Sequence, residues 1–136
     1  MTKIRLITWN INSVRARLNI IDHLLAEYKP DILCLQETKV QDHMFPKDVF
    51  DKHGLTHHAL AGQKSYHGVA TLSKLPLASS ERINWCDKGD ARHVGTEFEN
   101  GLKLHNFYVP AGGDVPDVAL NDKFAHKMDF LSEMTN

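Results

Sequence analysis

The chain has 136 residues, 16 basic against 17 acidic, for a net charge of −1 with nine histidines neutral. This balance argues against a non-specific nucleic-acid coat but leaves room for a local basic groove. Hydrophobic content of 42% and charged content of 24% are ordinary globular usage, which excludes a disordered or fibrous chain and sets the size of one domain. No apolar run approaches a membrane span, residues 1–13 lack the apolar stretch of a secretory leader, and Cys34 and Cys86, with no CxxC spacing, fit a reducing, cytoplasmic setting.

Residues 4–10 are dense in β-branched and aromatic side chains and read as a strand. Asn12 and Ser13 offer cap chemistry ahead of Val14, Leu18, Ile21, Leu25 and Tyr28, which form one apolar stripe at helical spacing. Pro30 ends that helix. Residues 32–35 are an unbroken apolar run, as expected of a strand covered on both faces. Strand, helix and strand make a βαβ unit with parallel strands, so Asn10, Gln36 and Glu37 share one carboxyl edge, where open α/β sheets bind ligands. Further on, residues 45–52 read as a short helix opened by Pro46. Residues 56–60 and 68–73 read as strands around a turn at 62–65, and residues 75–83 are ambiguous, with Pro76 demoting any strand there to an edge. Residues 87–90 form a loop. Residues 94–98 and 102–109 pair through the hairpin signal Glu99-Asn100-Gly101, and residues 110–116 are a glycine-rich loop. Leu120, Phe124, Met128, Leu131 and Met134 mark a last amphipathic helix.

Magnesium takes oxygen ligands, usually one or two carboxylates with water and substrate phosphate. Glu37 at the end of a buried strand, near the Asn10 amide, suits that demand, although Glu37 by itself reads first as a solvated strand-end glutamate and Asn10 as a turn residue. Arg15, Arg17, Lys39 and Lys64 could contact phosphate, with Trp9 and Tyr66 as stacking partners. Each singly is an ordinary surface charge or core aromatic. Tyr108 ends a strand before Pro110, where its phenol could reach the same edge or be buried and satisfied. No HExxH, zinc-finger, Walker, GxGxxG or GxSxG pattern occurs, and His57, His58 and His126 read as surface residues.

Together, Trp9-Asn10-Ile11-Asn12-Ser13-Val14-Arg15-Ala16, Leu35-Gln36-Glu37-Thr38-Lys39, Tyr66-His67-Gly68-Val69-Ala70 and Tyr108-Val109-Pro110 resemble, in order and spacing, the exonuclease III type of AP endonuclease. That family belongs to the endonuclease/exonuclease/phosphatase superfamily. The resemblance runs over essentially the whole chain. It implies an α/β, DNase I-like fold, here half of a four-layer α/β sandwich made of one mixed β-sheet with flanking helices. It implies metal-dependent phosphodiester hydrolysis in double-stranded DNA at abasic sites or 3′ ends, as in base-excision repair, with Mg2+ as cofactor and Mn2+ as the alternative. By the resemblance, Glu37 is the metal carboxylate, Asn10 a metal-site and catalytic amide, and Tyr108 the catalytic phenol at the scissile phosphate. Asn12, Arg15, Lys39, Tyr66 and Arg92 match positions on the DNA-binding face. No membrane is involved, and no obligate protein partner is expected for a full-length form.

Two departures stand out. Ala111 follows Tyr108-Val109-Pro110 where many members carry an amide. The family's Gly-Asp-x-Asn segment and terminal Asp-His pair have no counterpart, since Gly113-Asp114-Val115-Pro116 lacks the asparagine and the preceding strand. Residues 1–136 are therefore expected to be a single incomplete domain without its carboxyl-terminal half, inactive or impaired alone, with the inner face of its one sheet bare. The alternatives are another phosphodiesterase or phosphatase of the superfamily and a non-catalytic DNA-binding fragment.

Overall fold

A computed structural model describes residues 3–83, 86 and 88–135. Asp87 of the expected 87–90 loop lies outside the described residues. In chain order the elements are β1 (Leu6–Asn10), a 3-10 turn (Arg15–Arg17), α1 (Leu18–Tyr28), β2 (Ile32–Gln36), a second 3-10 turn (Asp42–Met44), α2 (Asp48–Lys52), β3 (His57–Ala61) and β4 (Val69–Ser73). They are followed by β5 (Leu77–Glu81), β6 (His93–Phe98), β7 (Lys103–Phe107) and α3 (Asp122–Met134). The first sheet has the order β1-β2-β4-β3 and the second β5-β6-β7. Strands β1 and β2 run parallel, as the βαβ reading requires, and every other pairing is antiparallel.

Helix α1 ends at Lys29, which adopts a left-handed φ of 46° and donates its N–H to the Leu25 carbonyl at 3.1 Å. Pro30 cannot extend it. Ile21 and Leu25 are buried, whereas Tyr28 is 50% exposed, so the buried stripe stops one turn before the helix does. With Phe45, Phe50 and Leu55 from the α2 region, α1 covers Leu33, Leu35, Ala70 and Leu72 in an all-hydrophobic core, against which Ile7 and Trp9 also pack.

The α/β class and the mixed sheet with flanking helices hold; the expected count of one sheet does not. The chain supplies strands to two facing sheets. Ala59, Ala61 and Val69 of the first sheet meet Val94 of the second, and Ile32 and Cys34 meet Phe98. The inner face of the first sheet is therefore covered along β2, β4 and β3. Only β1, whose Leu6 is 43% exposed, leaves that face open. Burial pushes the Cys34 thiol up to about 11, so it packs as a small apolar group.

Strand β5 is the edge strand that Pro76 predicts, and the β6–β7 hairpin turns at Gly101, whose N–H bonds the Phe98 carbonyl at 2.9 Å. Helix α3 lies on the outer face of the second sheet, with Phe130 fully buried and set edge-on to Phe107 at 6.1 Å. Its buried face differs from the expected stripe: Leu120 lies ahead of the helix at 79% exposure and Met128 is 44% exposed. The helix starts where Asn121 accepts from the N–H groups of Lys123 and Phe124. The Asn121 amide also donates to the carbonyls of Gly112 and Val115, tying the glycine-rich loop to the helix. Among the described residues no helix is long and apolar enough to cross a membrane.

Candidate functional site

The carboxyl ends of β1 and β2, the start of β4 and the segments flanking β6 and β7 meet at one edge. Main-chain hydrogen bonds fasten them together. Ser13 N–H donates to Glu37 O at 2.8 Å, Lys39 N–H to His67 O at 2.9 Å, Thr38 N–H to Gly68 O at 3.1 Å and Gly68 N–H to Ala91 O at 2.8 Å. Gly68 sits at the centre of this seam with φ +92°, and a Cβ there would lie 2.2 Å from the Thr38 hydroxyl. Neither requirement tolerates a side chain.

Six non-glycine residues of the same edge adopt positive φ: Asn12 (49°), Ser13 (83°), Glu37 (56°), Lys39 (56°), Ser65 (66°) and His67 (55°). Left-handed backbone at a residue bearing a Cβ is unfavourable, and such strain concentrates where a fold holds side chains for use. At Glu37 and Lys39 it interrupts the strand-like alternation, so ordinary strand geometry does not dictate where these side chains stand.

Asn10 is exposed at the end of β1 and pairs in register with Gln36, the residue before Glu37. Lys39 donates its ammonium to the Asn12 side-chain carbonyl at 2.6 Å. Arg15 is exposed in the neighbouring 3-10 turn. Tyr66 is 67% exposed, its ring 6.2 Å from that of His67, which lies 6.0 Å from the Tyr108 ring. These residues share one edge. Arg92 takes a different position in it: it is buried, donates from Nε to Asp90 at 3.1 Å and from Nη1 to the Tyr108 carbonyl at 3.3 Å, and its guanidinium lies 4.6 Å above the Tyr108 ring. The Tyr108 N–H in turn donates to the Arg92 carbonyl at 2.7 Å. Arg92 thus braces Tyr108 from both its face and its backbone.

Burial first, and then the negative charge of Glu37, raise the Tyr108 phenol above its ordinary 10. Near neutrality it is a protonated donor beside a carboxylate. His67 donates from Nδ1 to Gln63 Oε1 at 3.0 Å, an orientation fixed because the same oxygen accepts the Ala91 N–H at 2.9 Å. Burial lowers its pKa, with Asp90 and Glu37 opposing that trend. The imidazole is therefore neutral near pH 7, with Nε2 as the acceptor.

His67, Gln63 and Asp90 escape the sequence reading because their positions follow from turns and from tertiary contact. The only local signal is His67's place beside Tyr66 and Gly68. His126, read as a surface residue, is half-buried on α3 and close enough to Arg92 and Asp90 to respond to both charges.

Among the described residues no three His, Cys, Asp or Glu side chains gather as a metal cage. With Asp90 engaged by Arg92, the edge offers the Glu37 carboxylate and, at the end of the neighbouring strand, the Asn10 amide, both hard oxygen donors. That set fits magnesium or manganese, which keep waters and recruit substrate oxygens.

Residues 7–135 match the Endonuclease/Exonuclease/phosphatase family. The chain is 34% identical over 137 residues to exodeoxyribonuclease III of Haemophilus influenzae, covering 96% of this chain and 49% of that protein. An AP endonuclease structure from Archaeoglobus fulgidus superposes with a TM-score of 0.84 at 32% identity, over 97% of this chain and 49% of the other. A 3′ phosphatase from Neisseria, solved with a product DNA hairpin, does so with a TM-score of 0.75 at 31% identity, over 98% and 54%. The chain spans about half the length of the relatives it matches.

Proposed function

The chain belongs to the endonuclease/exonuclease/phosphatase family, and from that premise we propose that it serves metal-dependent phosphodiester hydrolysis in DNA of the exonuclease III and AP endonuclease type. The substrate is double-stranded DNA with abasic sites or 3′ ends, and the setting is base-excision repair. The observation that carries this reading is the convergence at one sheet edge of the Glu37 carboxylate, the protonated Tyr108 phenol and the Arg92 brace.

Glu37 and Asn10 would hold Mg2+, or Mn2+ in its place, and the ion supplies charge neutralisation at the leaving oxygen when bound. Tyr108 donates a hydrogen bond to a phosphate oxygen, its ring fixed by Arg92. Lys39, aligned by Asn12, and Arg15 contact flanking phosphates and set register without reading sequence. Tyr66, exposed on its turn, offers a stacking face.

The test is binding and incision of a labelled duplex carrying one abasic site, with and without EDTA. Magnesium-dependent binding and a single backbone cut, both lost in Glu37→Ala, are the expected result. Undiminished incision by Glu37→Ala would remove the metal assignment. Hydrolysis of inositol phosphates but not DNA would move the chain to another branch of the superfamily.

One observation favours a second reading, DNA binding without turnover. Asp90, a second carboxylate at the edge, is engaged by Arg92 Nε at 3.1 Å rather than free to activate water. Magnesium-dependent binding without any cut would establish it.

A further inference from the structure

Beneath the edge runs a hydrogen-bonded layer that no role assigned above uses. Asn106 of β7 is 3% exposed and lies between the two sheets. Its Nδ2 donates to the Ala70 carbonyl at 2.9 Å and approaches the Leu35 carbonyl at 3.3 Å, the carbonyls of a registered β2–β4 pair. Those two acceptors fix which end of the amide is nitrogen. Its Oδ1 then faces Gln36, whose Nε2 donates to it at 2.8 Å and also to the Thr8 hydroxyl at 3.0 Å. Three side chains from three strands and both sheets are thereby joined.

The placement of these three residues gives the layer its meaning. Thr8 precedes Asn10 by two residues on β1, Gln36 directly precedes Glu37, and Asn106 precedes Tyr108 by two. We propose that Asn106, Gln36 and Thr8 are positioning residues that lock the two sheets in the register at which Asn10, Glu37 and Tyr108 face one another; this rests on the reading of Glu37 as the metal carboxylate. A slip of β7 by one residue would carry Tyr108 about 3.4 Å along the strand, whereas a working site must be held to within about 0.5 Å. Apolar contacts such as those of Ala59, Val69 and Val94 between small side chains are non-directional and define that register less sharply than directed bonds do. An amide bonded to main-chain carbonyls of the opposite sheet resists such a slip. Burying an amide is costly unless its bonds are made, and here they are made across the sheets.

Gln36→Met cuts the layer while leaving Asn106 its main-chain bonds, and Thr8→Val and Thr8→Ser differ chiefly in whether the hydroxyl is kept. Two readouts apply to the whole chain: affinity for Mn2+ alone, from the loss of its free-ion magnetic resonance signal, and amide hydrogen exchange at Ser13 and Tyr108. In Gln36→Met, Mn2+ affinity should fall about tenfold, the usual scale for groups that orient a ligand. Exchange at Ser13 and Tyr108 should quicken while amides of α1 keep their protection. Thr8→Val should show a smaller loss that Thr8→Ser does not. Unchanged affinity together with unchanged exchange at Ser13 and Tyr108 would overturn the proposal, as would exchange raised equally in α1. Wild-type Mn2+ binding that Glu37→Gln leaves intact would overturn the metal reading instead, and the exchange measurement then decides the positioning layer on its own.

Discussion

The two outer layers of the molecule do the same architectural job with different chemistry. On the first sheet, α1 and α2 seal a core of Ile, Leu, Val and Phe side chains, and the pairs His53–Asp22 and His58–Asp51 stand at its margin. On the second, α3 rests on a stack of His93, His105 and Phe107, with rings 4.9 to 6.0 Å apart, and Phe130 closes it from the helix. His93 accepts the Ile83 N–H at Nδ1, so its Nε2 carries the proton donated to His105 Nδ1 at 3.0 Å. Both acceptors vanish if the rings are protonated. Aliphatic burial is indifferent to pH, whereas a helix seated on neutral imidazoles is not. The side facing α1 and α2 should set the stability of the molecule and the side facing α3 its acid limit.

That contrast can be broken in order of effect. Phe50→Ala empties a fully buried site and should cost about 3–5 kcal/mol, by the same amount at pH 7.5 and pH 5.5 in urea unfolding. Acid should come next. Burial, reinforced by His105, holds His93 at about 4 against an ordinary 6.5, while Glu81 lies near His105 at Gly95. The unfolded chain takes up the proton near 6.5 and the folded chain only near 4. His93's contribution is therefore complete above 6.5 and is lost as pH falls from 6.5 to 4, amounting to about 3 kcal/mol. A His93→Gln variant whose acid unfolding midpoint matches wild type would refute this assignment.

At the seam between the layers, Gly68→Ala meets both a left-handed φ and the Thr38 hydroxyl and should cost about 2 kcal/mol, read as a lower thermal midpoint. Ile32→Val in the inter-sheet layer removes one methylene and should cost about 1 kcal/mol. A loss there as large as that of Phe50→Ala would mean the inner layer, not the outer one, dominates stability.

The first βαβ unit is legible in the sequence because its signals are local: a periodic stripe, a proline stop and an unbroken apolar strand. The hairpin of β6 and β7 is legible for the same reason. That β5, β6 and β7 form a separate sheet is not, since alternation says which face of a strand is buried and nothing about which neighbour it joins. Small residues at Ala59 and Ala61, where two sheets approach closely, are the trace this leaves. In α3 the apolar stripe through Met128 misled, because one buried aromatic, Phe130, fixes the helix face. At the site, Asn10, Glu37, Lys39 and Tyr108 are legible as residues at strand ends. The residues packed behind them, Asp90, Gln63, His67 and Asn106, come from turns and from the opposite sheet, which no local pattern encodes.

The run of left-handed residues along the site edge also bears on how this protein would respond to selection. Each of Ser13, Glu37, Lys39, Ser65 and His67 adopts a backbone that glycine would adopt freely, at a cost of about 1 kcal/mol relative to glycine. A library screened for heat tolerance alone should therefore accumulate glycines at these positions. The same exchanges would remove the side chains that the edge presents. A screen for catalysis should reject them, so the two selections would diverge most sharply at these few positions in three separate segments of the edge.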